Sequence, residues 1–81
     1  MPELTLLSAL QKIVYHKANL SREEACAAME EVLEGKATDA QIAAFATALA
    51  MKGETVEELV GFARAIRARA AALGLGQAGL T

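Results

Sequence analysis

The chain has 81 residues, 54% of them hydrophobic but only 4% aromatic, and a formal net charge of −2, which allows one domain with a modest core. Acidic and basic residues are interspersed, so there is no basic footprint for nucleic acid or for an anionic membrane surface. No apolar run approaches the roughly 20 residues needed to cross a bilayer, and Glu3 stands where a signal peptide would be basic, so a cytoplasmic chain is expected.

Taken in chain order, Leu6, Leu10, Ile13 and Val14 recur at the helical period and predict a first helix over 4–16. Ser21, three residues before Glu24, forms the sequence signature of a capping box. In that motif the hydroxyl accepts from a free first-turn amide and the longer side chain reaches back to the cap residue's own amide. It opens a second helix over 22–34, with Ala25, Ala28, Met29 and Val32 on its apolar face, and Gly35 marks its end. Thr38 and Gln41 repeat the device for a third helix over 39–51, whose stripe is Ile42, Phe45, Ala46 and Leu49 and whose stop is Gly53. Thr55 and Glu58 repeat it again for a fourth helix over 56–72, closed by Gly74.

Val56, Leu59, Val60, Phe62, Ala63 and Ile66 cover a wider arc of this last helix than one neighbour needs, so it is expected to face two partners. The fold class that follows is all-α, a compact bundle of four short helices over 1–73, with 74–81 as a flexible Gly-rich tail or the start of an interdomain linker. Its core draws on the aliphatic residues with Phe45 and Phe62, and Tyr15 as a further candidate. Alanines at Ala40, Ala43, Ala44, Ala46, Ala48 and Ala50 would let another helix approach the third helix closely, inside the domain or across an interface.

Motifs that carry chemistry are scarce. Gly74, Gly76 and Gly79 have the GxGxxG spacing, but they follow a helix, whereas a dinucleotide loop lies between a strand and a helix. Gly35 and Lys36 lack both the leading glycine and the following Ser or Thr of a phosphate loop. His16, the only histidine, has no nucleophile or second ligand nearby in sequence and is expected to be solvated at a helix C-terminus. Cys26, the only cysteine, excludes an internal disulfide and reads as a half-buried helix residue with an ordinary thiol. Arg64, Arg67 and Arg69 sit late in the fourth helix and Glu54, Glu57 and Glu58 early, as the helix dipole favours.

The stretch from Leu20 to Ala70, above all the turns GKATDAQIAAF and MKGETVEEL, resembles the N-terminal helical domain of the anthranilate phosphoribosyltransferases, a domain type shared with nucleoside phosphorylases. The KGET turn followed by GFARAIR is closer to the anthranilate enzymes than to the pyrimidine nucleoside phosphorylases, which remain an alternative. The resemblance implies the helical part of an enzyme of tryptophan biosynthesis that joins anthranilate to phosphoribosyl pyrophosphate with magnesium. It also implies that the phosphates and metal are held by a GTGGD loop and acidic residues of a large C-terminal α/β domain, so this chain alone is expected to be inactive and to hold no cofactor. The helical domain of the family forms one wall of the interdomain cleft and commonly a homodimer contact.

At the family's ARAM pattern the chain reads ARAI, which puts Ile66 at a position that lines the path of anthranilate; its spacing from Leu59 and Phe62 fits simple core burial equally well. FATALAMKG stands where the family more often has FLMALRMKG, so Ala46, Thr47 and Ala50 depart from the bulkier residues and the arginine expected at a contact. A freestanding helical dimerisation module with the same fold is the reading from a different class.

Overall fold

The computed structural model describes residues 5–74. The expected tail over 74–81 lies outside these residues apart from Gly74, as does the predicted start of the first helix at Leu4. Four helices make up an all-α bundle: α1 Thr5–His16, α2 Arg22–Leu33, α3 Asp39–Lys52 and α4 Val56–Ala72. Their ends lie within one residue of the boundaries read from caps and periodicity, because the caps form as written. Ser21, Thr38 and Thr55 each accept from the amide three residues on, and Glu24, Gln41 and Glu58 each return a bond to the cap residue's amide.

Helix ends follow backbone chemistry. Gly35 adopts φ +75°, and its amide bonds to the Val32 carbonyl while the Lys36 amide reaches the Glu31 carbonyl, so the last carbonyls of α2 are satisfied in a Schellman arrangement. Gly53 has φ +91° at the end of α3. α1 has no glycine at its end. Lys17 takes the left-handed conformation instead, at φ +51°, a region costly for a residue with a Cβ.

In space the helices follow the order α4, α2, α1, α3: α2 packs on both α4 and α1, and α1 also packs on α3. Leu6, Ala9, Ile13, Leu20, Ala25, Ala28, Phe45, Leu49 and Phe62 form one buried cluster. Phe45 and Phe62 meet edge to face at 6.0 Å between centroids, joining α3 to α4 across it.

Several residues expected inside are outside. On α4 only Phe62 of the predicted arc is buried; the inner face is Glu58, Gly61, Phe62 and Ala65, and Val56, Leu59, Val60, Ala63 and Ile66 face solvent. The reason is the closeness of the α2–α4 contact. A Cβ on Gly61 would overlap the Arg22 carbonyl oxygen and come within 2.8 Å of the Ala25 Cβ, so the face that packs must be small rather than most apolar. Within the chain α4 therefore packs mainly on α2 and meets α3 through Phe62, and the wide apolar arc is not the face that makes these contacts. Val14, Tyr15 and Ala46 are likewise exposed, because α1 and α3 bury narrow stripes centred on Ile13 and on Phe45 with Leu49.

Candidate interaction surface

Two carboxylates, Glu58 and Glu31, are the polar fastenings of the bundle. Glu58 is fully buried. Its Oε2 accepts from the Leu20 amide at 2.7 Å, and its Oε1 accepts from the Thr55 amide at 2.9 Å and from Lys52 Nζ at 2.8 Å. Burial pushes this carboxyl up, but the bonds from Leu20, Lys52 and Thr55 outweigh burial and hold it below the ordinary carboxylate value. Lys52 also donates to Asn19 Oδ1 and to the Gly53 carbonyl, so the α1–α2 and α3–α4 connections meet at one charged cluster.

Glu31 is the second. Its Oε1 accepts from the Leu6 amide at 2.7 Å, so α2 supplies the cap that the first turn of α1 lacks in its own sequence. Position was the available signal, since Glu31 continues the inward spacing of Ala25 and Ala28. Among the described residues no buried side-chain polar atom lacks a partner. Glu58 thus has both carboxylate oxygens bonded internally, whereas Glu31 holds Leu6 through one.

The residues with chemical potential lie apart. His16 is exposed at the end of α1. Cys26 is half-buried, and burial, helped by the Glu30 carboxylate, raises its thiol above the usual value, so it is a poor nucleophile. Lys36 pairs with Glu34 at 3.0 Å, and Arg22 forks onto Glu57 at 3.0 and 3.2 Å. Arg64, Arg67 and Arg69 are exposed on α4. No group of three or more His, Cys, Asp or Glu residues that could hold a metal occurs among the described residues.

What the surface offers is apolar area. A groove of about 850 Å³ lies between α1 and α3, lined by Ile13, Val14, Ala44, Thr47, Ala48 and Met51. The alanines of α3 therefore do open a surface, since Ala43, Ala44, Ala46 and Ala50 are exposed. A second apolar strip runs along the outer side of α4, where Ile66 is half exposed, which excludes the core role that its spacing allowed. No helix of the described residues is long and apolar enough to cross a membrane.

The sequence model of the glycosyl transferase family's helical bundle domain matches residues 7–70. Among curated proteins, the chain is 58% identical over 67 residues to the anthranilate phosphoribosyltransferase of Solibacter usitatus, covering 83% of this chain and 19% of that protein. It is 55% identical over 64 residues to that of Desulforamulus reducens, covering 79% of this chain and 18% of the relative. The match to the enzyme of Methanothermobacter marburgensis is 62% over 52 residues, covering 64% and 15%. The chain thus spans less than a fifth of the length of the curated relatives it matches. No solved structure matches it.

Proposed function

Because the chain belongs to the glycosyl transferase family as its helical bundle domain, we propose that it is the helical domain of an anthranilate phosphoribosyltransferase. In that role it supplies apolar surface, as one wall of an interdomain cleft and as a dimer contact, and no catalytic group. The observation that carries this reading is the 58% identity to the Solibacter usitatus enzyme over 83% of the chain. A match at that level over most of the chain supports a shared backbone against which a larger domain would pack. It favours the anthranilate enzymes over the pyrimidine nucleoside phosphorylases. Phosphate and magnesium binding then fall to residues outside this chain.

A domain exchange tests the reading. Residues 5–72 of this chain replace the aligned segment of the Solibacter usitatus enzyme, and the chimera is expected to convert anthranilate and phosphoribosyl pyrophosphate to phosphoribosyl anthranilate. The 81-residue chain alone is expected to form none. A folded chimera without turnover, or turnover by the chain alone, would overturn the assignment.

A further inference from the structure

The groove between α1 and α3 has a charge as well as an apolar lining. Its volume of about 850 Å³ lies within the range of small-molecule sites, about 300–1,000 Å³. Val14 of α1 and Ala43, Ala44, Ala48 and Met51 of α3 supply apolar surface, and Thr47 supplies a hydroxyl. Lys17 and Lys52 stand at the end where both helices finish, and no carboxylate among the described residues lines the groove.

The two lysines are not equivalent. Lys52 Nζ uses its three N–H donors on Asn19, the Gly53 carbonyl and Glu58. Lys17 is exposed and enters no ion pair among the described residues. It also holds the left-handed conformation, φ +51°, at the end of α1, where a glycine would avoid the Cβ clash. Backbone preference therefore argues against a lysine at this position, and what the lysine adds is a cation at the mouth of an apolar groove.

Size and charge together select the occupant. From Ala43 to Met51 α3 rises about 12 Å, the reach of an extended chain of about eight to ten carbons. An apolar protein segment would leave Lys17 unanswered, and a phosphate ester would bring two charges to one open cation. A monocarboxylate with an unbranched tail matches both the single charge and the apolar length.

We infer that the α1–α3 groove binds a medium-chain carboxylate, its tail along Val14, Ala44 and Ala48 and its head group on Lys17 Nζ. The site is distinct from the outer strip of α4 and does not rest on the family assignment, so its failure and that of the domain exchange are separate results.

Isothermal titration calorimetry of the 81-residue chain with octanoate, below its micelle concentration, is expected to show saturable binding of one molecule per chain. Octanol, with the same tail, should bind about tenfold more weakly, the effect of one hydrogen bond to a charged group, and octyltrimethylammonium should not bind. Lys17→Gln should bring octanoate down to the level of octanol. Lys17→Gly should do the same while raising the melting temperature, because glycine suits the backbone there. Ala44→Glu, at an exposed position, should abolish binding with the helical circular dichroism unchanged, and Ile66→Glu on α4 should leave it intact. Absence of saturable binding, equal affinity for octanoate and octanol, or octanoate binding that survives Lys17→Gly or Ala44→Glu undiminished would refute the proposal.

Discussion

The Glu58 carboxylate accepts the Leu20 amide at 2.7 Å across 38 positions of sequence, and through this bond the cap of α4 also holds the entry to α2. One side chain therefore completes a local motif and a tertiary one. The local half is the capping box with Thr55; the tertiary half depends on burial and on Lys52.

Glu58→Gln keeps the shape and removes the charge. The amide cannot accept from Leu20, Thr55 and Lys52 together without placing an NH₂ group against a donor, and the largely buried Lys52 ammonium loses its counter-charge. The expected cost is about 2 kcal/mol, the scale of hydrogen bonds to charged groups. In a domain this small that lowers the melting temperature by about 10 °C. Thermal unfolding followed by circular dichroism checks it, and a melting curve that superimposes on the unsubstituted chain would show that the cluster is not stabilising.

Acid should unfold the chain partly through the same residue. Glu58 lies below its ordinary value in the folded state, so its contribution is fully present above the unfolded carboxylate pKa of about 4.3 and is lost as pH falls through the lower folded value. Glu24 is lowered as well, first by its bond from Lys12 and then by the Ser21 amide, but that pair is partly exposed and screened by salt. Urea titrations from pH 7 to pH 3 should show stability falling with pH, less steeply in Glu58→Gln, with added salt reducing only the Glu24 share. Equal slopes in the two proteins would assign the acid sensitivity elsewhere.

Gly61→Ala opposes intrinsic propensity to packing. Alanine is favoured over glycine inside a helix by about 1 kcal/mol, yet here its methyl overlaps the Arg22 carbonyl and crowds Ala25. Parting α2 from α4 costs about 1–3 kcal/mol, so net destabilisation is expected in chemical denaturation. A gain in stability would mean that the two helices have slack.

Glu31→Ala removes the cap that α1 receives from α2 and leaves the Leu6 amide without its partner. The expected loss is about 1–3 kcal/mol, with the fastest gain in hydrogen exchange at the first turn of α1. Unchanged protection of the Leu6 amide would show that another acceptor takes over.

Sequence alone determined the punctuation of this protein. Three capping boxes and three glycine stops are local devices in which a side chain or a backbone conformation satisfies amides and carbonyls within a few residues. That is why three of the four helices, and with them the family likeness, were legible without tertiary information, while α1 was read from its periodicity. The end of α1 was the exception in kind, closed by Lys17 at positive φ with no glycine to announce it. Only the tertiary structure decided which faces turn inward. α4 buries Gly61 and Ala65 against α2 and leaves Leu59 and Ile66 outside, because closeness of approach outweighs apolar area where two backbones nearly touch. It also decided the partners of Glu31 and of the second oxygen of Glu58, the Leu6 and Leu20 amides, which lie 25 and 38 positions away in sequence.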